Sequence, residues 1–193
     1  MKGILISTQP KWVEKILNRI KKDEVRKGTA LYKAINKLIA EQGAAPMLIY
    51  CTKGNKHECL EYADNPNQNK EGKWVITSGY PYANGKVIAR FNATAEEITT
   101  RQDRFKEFTF YETSLDMEDL LKQSCLDYNE LDSYLQGEKG TDIHINNLVI
   151  FDKPIKLEKL KVRKNDCPFP CGICNVRYCR LTKAPQSWCY IEI

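Results

Sequence analysis

Apolar and polar positions along this chain keep two different rhythms. In residues 3–7, Ile4 and Ile6 recur at every second position, which is the spacing of a strand. Trp12, Val13, Ile16, Leu17 and Ile20 then recur at helical spacing. Pro10 suits the first turn of that helix, where its missing N–H is not needed. Residues 23–27 read as a short strand. Side chains alternate there, so Glu24 and Arg26 share one side and Val25 faces the core. Leu31, Ile35, Leu38 and Ile39 form the stripe of a helix over 29–42, with Gly43 as its C-terminal stop.

Further along, residues 46–52 predict a strongly apolar strand, and 53–72, rich in Gly, Asn and Pro, predict a loop. Strands are expected at 74–77, 86–91 and 107–111, with Asn84-Gly85 as a turn signal. Two short helices follow at 117–123 and 128–135, the first capped by Asp116 or Ser114 and the second by Asp127. A strand is expected at 143–151, an irregular return at 154–160 and a last strand at 188–193. Six to eight strands with three or four helices predict an α+β fold, a mixed β-barrel with helices at its ends. A length of 193 residues suits a single domain over 1–193.

Charge adds a pattern that the net value of +5 conceals. Residues 1–56 hold twelve Lys or Arg against four Asp or Glu, residues 57–150 nine against seventeen, and residues 151–193 nine against four. Both ends are basic and the middle is acidic. If the ends meet they make one positive face suited to phosphates, with RNA as the expected partner; a solvated face without a partner is the alternative. No stretch has the length or apolarity of a secretory signal or a membrane span, so a cytoplasmic protein without a membrane partner is expected.

The chemistry-bearing residues gather where the first helix meets the second strand. Lys21 supplies a compact cation and Glu24 a proton acceptor; Arg26 can grip a carboxylate or phosphate with two parallel bonds. In an enzyme, Lys21 and Glu24 are the catalytic candidates. Ser7, Thr8 and Gln9 close the first strand and are expected to line the same cleft. Trp12 fits either a stacking surface for a base or the buried face of its helix. Glu24 and Arg26 also fit an ordinary ion pair beside a solvated Lys21.

The run Arg19-Ile20-Lys21-Lys22-Asp23-Glu24-Val25-Arg26 resembles the Gly-x-Lys-x-x-Glu-x-Arg pattern of ASCH-domain proteins, a branch of the PUA-like superfamily. Lys21, Glu24 and Arg26 match, and Arg19 stands in place of the glycine. Residues 4–10, 49–53 and 85–89 match in the family's order, and 185–190 resembles phage and prophage members. The resemblance implies a PUA-like mixed barrel whose cleft, beside the motif, takes RNA or a nucleotide-like ligand. One branch removes acyl groups from modified cytidine using Lys, Thr and Glu. Lys21 matches that lysine, whereas Glu24 occupies the threonine position. An amidohydrolase acting on an acylated nucleoside is therefore the second reading. A phage-encoded factor that binds a host protein through the acidic middle is the third. Simpler relatives have a short connection where this chain has the 29–42 helix, which reads as a lid or as cover for an open sheet edge.

Cys167, Cys171, Cys174 and Cys179 fall in a Cys-rich segment, 165–183, with Pro168, Pro170 and Gly172 keeping it in turns. Four thiolates suit tetrahedral structural zinc; unligated thiols or redox pairs are the alternative. Cys51, His57 and Cys59 are a weaker set. Cys51, Cys125 and Cys189 read as core, and His144 as a structural residue in a strand.

Overall fold

The alternation at the start of the chain becomes strand β1 (Lys2–Thr8) in the computed structural model, which describes residues 1–54, 57–63, 72–78, 82–102, 109–166 and 178–193. Helix α1 (Pro10–Leu17), β2 (Asp23–Lys27), α2 (Ala30–Gln42) and β3 (Pro46–Cys51) follow, then β4 (Cys59–Ala63) and β5 (Lys73–Thr77). The long β6 (Lys86–Gln102) leads to β7 (Thr109–Glu112), α3 (Met117–Ser124) and α4 (Tyr128–Leu135). A second long strand, β8 (Gly140–Lys156), precedes β9 (Lys161–Arg163), β10 (Tyr178–Arg180) and β11 (Trp188–Glu192). The fold is mixed α+β.

The chain divides into two compact units, and β6 and β8 each contribute residues to both. The first unit comprises residues 1–19, 46–91 and 147–193. Its sheet runs β10-β9-β11-β1-β3, with β1 parallel to β3 and antiparallel to β11. Leu5, Leu48, Tyr50, Val87, Val162, Leu181 and Ile191 fill its core. Gly3 is required there, because a Cβ would stand 2.9 Å from the Pro46 carbonyl oxygen. β4 and β5 pair separately as an antiparallel two-stranded sheet.

The second unit comprises residues 20–45 and 92–146. β2 pairs antiparallel with β8, placing Asp23 opposite His144 and Val25 opposite Asp142. β7 pairs with β6. Val25, Ile98, Tyr111, Leu120, Leu131 and Leu135 pack together, so Val25 reaches the core as its alternation requires. Asp116 caps α3 by accepting from the Glu118 N–H, and Asp127 with Glu130 makes a reciprocal capping box on α4. α2 buries Leu31, Ala34, Ile35 and Leu38 and stops at Gly43, whose φ of 78° suits glycine.

Several expectations are corrected. Among the described residues β10 pairs only with β9 and β2 only with β8, so the strands make a large open mixed sheet and not a closed barrel. β4 lies within the stretch expected to be a loop, because its partner β5 supplies the backbone bonds that its polar sequence does not advertise. β6 and β8 run far past their apolar stretches, since a ladder of backbone bonds continues regardless of side-chain polarity. Ile20 is 58% exposed because α1 ends at Leu17, three residues before it.

Candidate functional site

The helix-to-strand junction is built by backbone bonds. Arg19 donates its N–H to the Ile16 carbonyl and sits at φ 59°, a left-handed turn that releases the chain from α1. In the second unit, Lys22 donates its N–H to the Gln123 carbonyl (2.8 Å) and accepts from the Ile145 N–H (2.9 Å). Lys21 is thereby held at the C-terminal end of α3. Its Nζ donates to the Ser124 carbonyl oxygen at 2.5 Å, a helix end whose partial negative charge favours a cation.

Lys21, Glu24 and Arg26 converge. Lys21 Nζ lies 3.5 Å from Glu24 Oε2, and Arg26 Nη2 lies 2.8 Å from Glu24 Oε1. Their side chains are 3%, 7% and 12% exposed. Two cations thus share one buried carboxylate, and the group is an internal network with little opening to solvent.

Beside it lies a group that sequence reasoning passed over. His144 Nδ1 is 2.9 Å from Asp23 Oδ1, and its Nε2 faces Glu96 Oε1 at 3.8 Å. The bond to Asp23 lifts the His144 imidazole to about 9, against the opposing effect of burial. Asp142 is fully buried, and burial followed by the Asp23 charge pushes its carboxyl up to about 7. Among the described residues, neither Asp142 oxygen nor Asp23 Oδ2 has a hydrogen-bond partner. One atom each from Asp23, Asp142 and His144 lies within 4.8 Å of the others, a set able to hold a metal ion. The sequence carried a signal: Asp142 and His144 are two apart in a strand and so share a face. Only the register of β2 on β8 adds Asp23.

The other expected site residues belong to the first unit. Ser7 and Thr8 are buried; Ser7 Oγ donates to the Pro185 carbonyl at 2.7 Å. Gln9 is exposed ahead of α1 and makes no side-chain cap bond. Trp12 is half-buried, with the Lys11 and Lys15 ammonium groups 4.6 and 5.0 Å from its ring centre. Cys179 is buried on β10, whereas Cys167, Cys171 and Cys174 lie outside the described residues. Cys51 is fully buried on β3, and burial pushes its thiol up to about 12. Cys189 is buried as expected. Cys125 is not core: it is half-buried at the end of α3, with φ 57°.

The first unit also holds a cavity that none of the expected site residues lines. That cavity holds about 580 Å³ and is bounded by Glu61, Tyr62, Trp74, Tyr82, Ile150, Phe151 and Asp152. Register makes Tyr62 and Trp74 direct cross-strand neighbours, and their rings meet edge to face with centroids 5.6 Å apart. Asn18 fixes the Trp74 backbone, accepting from its N–H at 3.0 Å and donating to its carbonyl at 2.8 Å. Tyr82 is steadied by Lys86, whose ammonium donates to its carbonyl at 2.7 Å and lies 5.5 Å from its ring centre. Tyr62 and Tyr82 stay nearly half exposed, so aromatic faces remain available to a ligand.

No protein-family model matches this chain, and no curated protein matches it.

Proposed function

We propose that this chain is a binding module for RNA or a nucleotide-like ligand, and that the aromatic cavity of the first unit receives the base. The observation that carries this reading is the lining: four aromatic side chains around a volume suited to a small ligand, with two carboxylates at hand. Planar bases stack on such rings at about 1–3 kcal/mol each. Glu61 and Asp152 accept hydrogen bonds and so favour a base edge that presents amino or imino groups. Charge supports the same unit. It carries nineteen Lys or Arg against nine Asp or Glu, while the second unit carries eleven against sixteen. The basic segment 151–193 and residues 1–19 and 46–56 of the other lie in the first unit, where β1 pairs with β11, and a surplus of that size favours a phosphate backbone. The PUA-like affiliation implied by the Lys21, Glu24 and Arg26 pattern belongs to this proposal. In it the triad braces the second unit from inside.

Fluorescence anisotropy with labelled single-stranded RNA tests this. Binding is expected to weaken steeply as salt rises. Tyr82→Ala and Trp74→Ala are each expected to weaken it about five- to hundredfold, the stacking energy of one base. Lys21→Ala is expected to cost about 3 kcal/mol of stability, by stripping a buried network of one partner, while leaving the affinity of folded protein unchanged. Salt-insensitive binding, or full affinity in both aromatic variants, overturns the reading.

A further inference from the structure

We infer that Asp23, Asp142 and His144 bind one divalent first-row metal ion inside the second unit, a site distinct from the base cavity. Asp142 is fully buried, neither of its oxygens has a hydrogen-bond partner among the described residues, and one of them lies within 4.8 Å of the Asp23 and His144 ligand atoms. Asp23 is 1% exposed and likewise leaves Oδ2 unsatisfied. Orphaned carboxylate oxygens this deep are costly unless something binds them. Their convergence with an imidazole within 4.8 Å supplies what a cation needs. The 2.9 Å between Asp23 Oδ1 and His144 Nδ1 matches adjacent ligand atoms around an ion with bonds of ~2.1 Å, which stand about 3 Å apart.

The donor chemistry selects the ion. Two carboxylates cancel a divalent charge, and a neutral imidazole adds the nitrogen that first-row metals accept and that magnesium and calcium disfavour. The surroundings fit a metal-bound histidine. With Nδ1 on the ion, the Nε2 proton faces the Glu96 carboxylate at 3.8 Å. Glu96 is itself held: its Oε2 accepts from Thr113 Oγ1 at 3.3 Å and from the Ser114 hydroxyl. A carboxylate behind the histidine, itself anchored, is the outer shell that orients such ligands. The three ligands leave coordination positions for water or a further ligand.

The probe is Mn²⁺, which oxygen and nitrogen donors accept and a cysteine cluster does not favour. It is titrated into the chelator-treated full-length chain, and the free-ion electron paramagnetic resonance is followed. One Mn²⁺ per chain is expected to bind, and Zn²⁺ to displace it, as the stability order of these metals requires. Asp142→Asn and Asp23→Asn keep the side-chain shape and are each expected to weaken binding at least tenfold. Nuclear magnetic resonance on the unmutated protein reads the location without a variant: Mn²⁺ broadening is expected to centre on Val25, Ile143 and His144. A free-ion signal unchanged up to millimolar protein, which means a protonated His144–Asp23 pair only, overturns the site. So does broadening centred elsewhere, or undiminished binding in folded Asp142→Asn and Asp23→Asn.

Discussion

Arg19 shows how one residue can carry a cost that its neighbours conceal. It adopts φ 59°, a region that costs a residue with a Cβ about 1–2 kcal/mol and glycine little. It stands where the pattern resembled by this motif has glycine. Its side chain is exposed, so little packing is lost on truncation. Arg19→Gly is therefore expected to stabilise the protein by about 0.5–1 kcal/mol, after the entropy that glycine adds to the unfolded chain. Thermal unfolding by circular dichroism checks this; a lower midpoint contradicts it. Lys21 and Asp142 make a related contrast. Both are buried, yet Lys21 is held by a helix-end carbonyl and a carboxylate, whereas the Asp142 oxygens have no partner among the described residues. Only the second condition calls for a ligand.

At the scale of elements, caps and register decide what individual residues can do. The α4 capping box joins Asp127 to the Glu130 N–H at 2.8 Å, and Glu130 Oε2 to the Asp127 N–H at 3.0 Å. Asp127→Ala is expected to cost about 1 kcal/mol, read as a lower denaturant midpoint with unchanged slope. An unchanged midpoint would mean that tertiary packing alone holds the helix. Register matters more for chemistry. Asp23 opposes His144 only because β2 and β8 pair as they do, and a slip of one residue would turn Asp23 to the other face. Tyr62 and Trp74 depend likewise on the pairing of β4 with β5.

For the whole molecule, the division into a basic and an acidic unit separates the two proposals. Charge reversal at the exposed Lys153 and Lys159 of the first unit is expected to lower RNA affinity and flatten its salt dependence. Reversal at the exposed Glu118 and Asp119 of the second unit is expected to leave both nearly unchanged. Anisotropy titrations at several salt concentrations measure the difference. If the second pair matters as much as the first, net charge and not the first unit's surface governs binding. No helix among the described residues is long and apolar enough to cross a membrane.

Local periodicity alone determined much of this protein. The strand at Ile4 and Ile6, helices α1 to α4, the caps at Asp116 and Asp127, the stop at Gly43 and the inward face of Val25 follow from rules acting over a few residues. The meeting of Lys21, Glu24 and Arg26 was also legible, because all three lie within six residues. Tertiary structure decided the rest. Whether that triad is open or buried depends on α3, which arrives nearly a hundred residues later to put the Ser124 carbonyl on Lys21. The long β6 and β8, the open sheet, the aromatic cavity and the Asp23–Asp142–His144 group arise from pairings between distant segments. Such pairings follow from how the whole chain buries its apolar surface and satisfies its backbone, which no local pattern encodes.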